Sequence, residues 1–230
     1  MTSTFQPIAV QPSLSDIAYR EIRAAITQGR LQPGERLIHR ALAKKFGISP
    51  TPVRDAIQRL VSDGALVLDD RGIAQVPIIS AETYCEILNL RIQLEGYAAA
   101  SLASQASTHG AVVDLLTATH DRLVQHKKNN NIEAALYENE QFHSQLIKSA
   151  GMPILEDLVR SLWLRCGPSL RLLYDEGYIP LKVHPHIEII NALKIGNAEQ
   201  ARAAIERDLR HAGEHIKNRI RETQRVASEI

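Results

Sequence analysis

The chain of 230 residues carries two cysteines, Cys85 and Cys166, and no long apolar run. Two thiols cannot build the disulfide framework of a small secreted domain, so both are expected to be reduced, in a cytoplasmic protein. The longest uncharged stretch, Gly96 to Val113, is broken by Ser101, Ser104, Gln105, Ser107, Thr108 and His109. No membrane-spanning helix is expected from it. The opening segment, Met1 to Asp16, lacks a basic start followed by an apolar stretch, so no secretory signal is expected. Charge of one sign is also lacking. The 27 Lys and Arg residues face 26 Asp and Glu residues, and a formal charge of +1 carries no whole-chain sign of a nucleic-acid partner. There is no repeat at a fixed period. His-Glu-x-x-His, Gly-x-Ser-x-Gly and phosphate-loop patterns are absent as well, which counts against a catalytic reading.

What is present is a chain 44% hydrophobic, long enough for one large or two modest domains. Residues 1–13 bear Gln, Pro and Ser without charge and read as a tail. Helical spacing begins at Leu14 and runs through Ile17, Ala18, Ile22, Ala25 and Ile26, with Gly29 where a helix terminator belongs. Pro33-Gly34 marks a turn. A short helix over residues 40–46 is expected to turn Leu42, Ala43 and Phe46 inward, and Gly47 ends it. Ser49 then offers a cap and Pro50 a tolerated first position for a helix reaching Asp63. That helix buries Val53, Ala56, Ile57 and Leu60 and shows Thr51, Arg54, Gln58 and Arg59. Ala65–Leu68 and Ile73–Val76 flank Asp69-Asp70-Arg71-Gly72 as a small hairpin. From Ser80 the pattern is all-helical, over residues 81–105, 109–129, 131–150, 153–175, 183–195 and 198–222.

Helix, short helix, tight turn, helix and hairpin is the layout of a winged helix-turn-helix. Arg54 lies one turn into the third helix, where a guanidinium reaches a major-groove guanine or a phosphate. Arg71-Gly72 at the hairpin tip can enter the adjacent minor groove.

In the helical part, Asn139 and His143 are four apart on the stripe Leu136, Asn139, His143, Leu146, Ile147, Ala150, a face expected to be buried. His186 lies on the stripe His186, Ile189, Ile190, Leu193, and Asp208 borders Ile205, Leu209, Ala212, Ile216. An amide, two imidazoles and a carboxylate from three helices can enclose a divalent metal. They can equally be core polar residues that satisfy one another or bind water. His211 and His215 are four apart and could be taken for a competing metal pair; they are placed on an exposed or rim face. His184 neighbours the start of the helix opened by Pro185. Arg91 is a candidate partner for a ligand carboxylate, which suits bidentate pairing, or one half of a surface ion pair. Trp163, Arg165 and Tyr174 are further candidates for a pocket lining.

Specific residues sharpen both readings. Pro33-Gly34-Glu35-Arg36-Leu37, Leu42-Ala43, Phe46-Gly47-Ile48-Ser49-Pro50-Thr51-Pro52-Val53-Arg54-Asp55-Ala56-Ile57, Leu60 and Asp63-Gly64-Ala65-Leu66 closely resemble the DNA-binding domain of GntR-superfamily transcription regulators. The resemblance implies DNA contacts from Arg40, Ser49, Thr51, Arg54 and Gly72. Many members have Arg directly after the Ser or Thr, in the pattern Ser-Arg-Thr-Pro-Val-Arg. Pro50 stands there in this chain, so specificity should lean on Arg54 and Arg40.

The chain after Ser80 resembles the FCD effector domain of the FadR-like subgroup through Arg91-Ile92-Gln93-Leu94-Glu95, Phe142-His143 and the helix opened by His186. That resemblance implies a metal, with Zn²⁺, Ni²⁺ or Mn²⁺ as candidates, held beside a carboxylate effector by one Asp and three His. Here Asn139 stands at the Asp position, and Asp208 stands where the last His belongs, 22 residues after His186. His143 and His186 match.

The expected protein is mainly α: a winged helix-turn-helix over residues 14–79 and an antiparallel all-helical effector and dimerisation domain over 80–230. It is expected to act as a repressor, a homodimer on a pseudo-palindromic double-stranded operator, released by a small organic acid. The rival readings are a metal-dependent enzyme with a DNA-binding head and an architectural DNA binder without effector. Charge fits a local contact. Residues 14–72 hold 10 basic and 7 acidic residues, whereas 80–230 hold 17 and 19, with eight of the nine histidines.

Overall fold

Ser13 starts the first helix. Its hydroxyl accepts from Asp16 N at 3.1 Å, and the Asp16 carboxylate accepts in return from Ser13 N, a reciprocal cap on α1 (Leu14–Thr27). The computed structural model describes residues 12–105, 109–174 and 180–228. The expected tail therefore lies outside the described residues, apart from Pro12 and Ser13. So does part of two expected helix breaks, Ser107-Thr108 and the stretch leading to Pro180.

Two short helices follow α1: α2 (His39–Phe46) and α3 (Pro50–Ser62). Gly47, at φ 67°, ends α2 in the left-handed conformation that glycine adopts without strain. The hairpin is smaller than expected and gains a strand. β2 (Val67–Leu68) and β3 (Ala74–Gln75) are joined by β1 (Arg36–Leu37), which pairs antiparallel with β3 in the order β1-β3-β2. The residues after Pro33-Gly34 thus form a strand. Phe46, expected inward, is substantially exposed; Ala43 is the buried residue of α2. Ala18, Ile22, Ile26, Val53, Leu60 and Val76 anchor the core of this winged helix-turn-helix.

The remainder is helical: α4 (Ala81–Ala103), α5 (His109–Lys128), α6 (Ile132–Ser149), α7 (Pro153–Cys166), α8 (Pro185–Lys194) and α9 (Ala198–Ser228). The expected single helix over 153–175 is two elements. α7 stops at Cys166 and continues as a 3-10 helix, Gly167–Tyr174. Pro168 has no N–H to donate to a carbonyl four residues back, so the chain tightens there. α9 runs six residues beyond the expected end. The bundle core is drawn from all six helices and includes Ile92, Leu116, Phe142, Trp163, Ile189 and Ile205.

The two parts touch through α7. Leu164, 2% exposed, belongs to the head's core, while its neighbour Trp163 belongs to the bundle's. Gly167 lies against α1 so closely that a Cβ there would meet Thr27 Cα at 2.9 Å. Arg23 of α1 bonds Glu140 of α6 at 3.2 Å.

Candidate nucleic-acid interface and metal centre

The turn at Gly47 aims α3 outward. Its first turn reads Pro50-Thr51-Pro52, with Ser49 at the cap position in extended backbone. The Ser49 hydroxyl makes no cap bond, contrary to the sequence expectation. Pro52 occupies the third helical position, where a capped N–H would be, and has none to offer. Ser49, Thr51 and Arg54 are all exposed, as is Arg40 on α2. Arg54 keeps 60% side-chain exposure and a loose 3.9 Å contact to Asp55. Arg59, on the same helix, is instead committed: it bonds Asp16 at 2.7 Å and lies over the Tyr19 ring.

A groove of about 440 Å³ runs between α3 and the wing, and Arg54, Arg71 and Gly72 line it together. Gln58 and His39 line it too. His39 carried no signal of its own in the sequence beyond its place beside Arg40. Arg40, Ser49 and Thr51 are exposed outside this groove's lining. The wing tip is held by Asp69. Its carboxylate accepts from Arg71 N at 3.0 Å and Ile73 N at 2.8 Å, and it pairs with Arg36 at 3.1 Å. Gly72, at φ 74°, supplies the left-handed turn between them.

The second centre is buried in the bundle. His143 is 1% exposed, with Nδ1 2.8 Å from Glu95 Oε2 and Nε2 3.2 Å from Asp208 Oδ2. His186, fully buried, is stacked on Phe142 at 3.6 Å, and its Nε2 lies 4.0 Å from the same Asp208 oxygen. One donor atom from each of His143, His186 and Asp208 falls within 4.8 Å of the others. Asn139, expected buried, is half-buried; it lines a cavity of about 50 Å³ with His143, Asp208, Arg91, Lys127 and His184.

Glu95 organises this centre, and sequence reasoning missed its role. Its Oε1 accepts from Arg91 Nε at 2.7 Å and from Trp163 Nε1 at 3.2 Å. Arg91 is 3% exposed and lies over the Trp163 ring at 4.0 Å, so its internal partner is a buried carboxylate. Burial pushes Glu95 up, but the Arg91 and then the His143 charges overcome it and hold the carboxyl at about 2. Burial pushes His143 down, and the Glu95 charge with the Asp208 bond raises it to about 9. His143 therefore stands as an imidazolium between two carboxylates at neutral pH. His186 moves the other way. Burial, with His143 and His184 beside it, drives it well below the usual imidazole range.

The donor set fits a divalent cation. Both His186 nitrogens are buried without a hydrogen-bond partner among the described residues. A cation at His143 Nε2 would replace the proton there, while Glu95 would hold Nδ1–H, the usual carboxylate–histidine support of a metal ligand. Among the other candidates, Arg165 lies against Gly64 of the head rather than in the cavity, and Tyr174 is half-buried near Lys127. His211 and His215 are half-buried, with His215 Nε2 3.1 Å from Leu172 O.

Comparison with known proteins settles the family. Residues 14–76 match the model of bacterial regulatory proteins of the gntR family, and residues 86–211 match the FCD domain. The chain belongs to the GntR family and carries an FCD domain. It is 33% identical over 186 residues to the HTH-type transcriptional regulator McbR of Escherichia coli (strain K12), covering 79% of this chain and 83% of that one. The uncharacterized HTH-type transcriptional regulator YdhC of Bacillus subtilis (strain 168) is 29% identical over 213 residues, 89% of this chain and 91% of its own. The solved structure of E. coli McbR/YncC superposes with a TM-score of 0.79 at 28% identity, covering 87% of this chain and 95% of that one. The protein is thus a GntR-family transcriptional regulator. Among its described residues no helix is long and apolar enough to cross a membrane.

Proposed function

We propose that the protein is a ligand-released repressor. Residues 14–79 are its DNA-binding unit and residues 80–230 its effector and dimerisation unit. Arg54, Arg71 and Gly72 meet the operator along the groove between α3 and the wing, with Arg40, Ser49 and Thr51 on flanking phosphates or bases. A homodimer sets two such faces about one helical turn apart on a pseudo-palindromic site. Asn139, His143, His186 and Asp208 hold a divalent cation of the Zn²⁺, Ni²⁺ or Mn²⁺ class, whose charge binds one carboxylate oxygen of a small organic acid. Arg91 lines the same cavity and supplies further positive charge.

The observation that carries this reading is the place of α7. Trp163 bonds Glu95 inside the buried centre, and the next residue, Leu164, sits in the head's core. A ligand that shifts Glu95 or Trp163 must therefore move a residue packed under the DNA-reading helices, and any differential affinity for the two arrangements becomes regulation. The test is an anisotropy titration of a selected operator duplex with small mono- and dicarboxylic acids, with and without added Zn²⁺, Ni²⁺ or Mn²⁺. At least one acid is expected to weaken operator binding tenfold or more. Operator binding indifferent to every acid and metal overturns the effector reading in favour of an architectural DNA binder.

A further inference from the structure

Three imidazoles meet around His186, and neither the regulator reading nor the family resemblance uses two of them. His120 comes from α5, His184 is the residue that caps α8, and His186 stands in the first turn of α8. Their ring centroids are separated by 5.0 Å (His120–His184), 5.5 Å (His120–His186) and 4.5 Å (His184–His186), and the planes are mutually inclined by 62–66°. One ring nitrogen of each lies within 4.8 Å of the others. A tetrahedral ion bonded to three imidazoles at ~2.0–2.1 Å puts ring centroids about 5 Å apart. The observed spacing brackets that value.

The nitrogens also lack better employment. His120 is 6% exposed and its Nδ1 is buried without a partner among the described residues, as are both nitrogens of His186. A buried imidazole N–H or lone pair left unmatched is costly, so one such atom calls for an explanation and three together point to an absent partner.

We propose that His120, His184 and His186 form a second, three-imidazole site for a transition-metal ion of the Zn²⁺, Cu²⁺ or Ni²⁺ class. No oxygen donor belongs to the trio, which selects against Mg²⁺, Ca²⁺ and Mn²⁺. A neutral imidazole has one lone pair, so His186 serves either this trio or the set with His143 and Asp208. The two sites are alternatives, and a protomer holds one ion. Binding has a local cost: His184 Nδ1 now accepts from His186 N at 3.3 Å, and ligation through Nε2 moves the ring proton onto Nδ1 and gives up that long bond.

Co²⁺ titration of the full chain, followed by visible absorption, separates the two sites. Asp208→Asn disables the carboxylate set. His120→Asn and His184→Asn disable the trio, and Asn at 184 keeps a good helix cap. The expected result is one Co²⁺ per protomer in the wild type and in Asp208→Asn. Adding His120→Asn or His184→Asn to Asp208→Asn should weaken Co²⁺ binding at least tenfold. Loss of Co²⁺ in Asp208→Asn together with retention in His184→Asn overturns the three-imidazole site and leaves the His143–Asp208 set standing. Retention in Asp208→Asn that the added His variants do not disturb also overturns it. A wild type that binds no Co²⁺ overturns both. Circular dichroism checks each fold, and a Gln variant replaces any Asn variant that unfolds.

Discussion

The head and the bundle store their functional groups in opposite ways. In the head, Arg40, Ser49, Thr51, Arg54 and Arg71 all sit on the surface, and Arg54 is barely engaged. In the bundle, Arg91, Glu95, His143 and His186 are almost wholly buried, and the first three are bound to one another. Removing a head residue should cost binding and spare the fold. Removing a bundle residue should cost the fold first, because each charge there is the partner that makes another charge tolerable.

The sharpest break of that contrast is Glu95→Ala. It strands the Arg91 guanidinium in the core, leaves the His143 imidazolium with Asp208 alone, and is expected to cost about 3–5 kcal/mol in urea unfolding. A loss below about 1 kcal/mol would mean that the buried network is not a structural unit, and the contrast with the head would fail.

The same network imposes a pH dependence of its own. His143 is raised from the ordinary imidazole value of 6.5 to about 9, so its stabilisation is complete below pH 6.5 and is lost as pH rises through 9. Glu95 is lowered from 4.5 to about 2, so its contribution is present above pH 4.5 and is lost as pH falls through 2. Metal-free protein should therefore be most stable between pH 4.5 and 6.5 as far as this pair decides it. It should lose on the order of 3 kcal/mol by alkaline pH. In His143→Gln the alkaline decline should vanish. An unchanged decline in that variant would assign it elsewhere.

This difference in storage also explains what the sequence disclosed. The winged helix-turn-helix was legible because its signals are local: Gly47 ends α2, Pro50 opens α3, and Arg54 follows within one turn. The ligand-type residues His143, His186 and Asp208 were legible as stripes, and the fold brings them together. Glu95 was not. Its spacing from Arg91 is that of any surface ion pair, whereas Trp163 and His143 reach it from 68 and 48 residues away. His120 was hidden for the same reason, and His184 was legible only as the residue ahead of the helix opened by Pro185. The break after Cys166 was readable in principle from Pro168, but the apolar period runs on through it.

In the head, Arg54→Ala is expected to weaken operator binding by about 1–3 kcal/mol, roughly five- to a hundred-and-fiftyfold, with the unfolding curve unchanged. Arg71→Ala should act more evenly across sequences and lower the salt dependence. If Arg54→Ala destabilised the fold as Glu95→Ala does, the surface assignment of the head would collapse.

The smallest effect separates two serines that look alike in sequence. Ser13 caps α1 through Asp16 N, so Ser13→Ala should cost about 0.5–2 kcal/mol of stability. Ser49 stands at the same position of α3 but makes no cap bond. Pro52 has already removed the third-position N–H that such a cap would serve. Ser49→Ala should therefore change stability by less than about 0.5 kcal/mol, the range of an ordinary surface substitution, while weakening operator binding severalfold. Paired urea melts and anisotropy titrations decide it: a stability loss matching that of Ser13→Ala, with operator affinity intact, would make Ser49 a cap and not a contact.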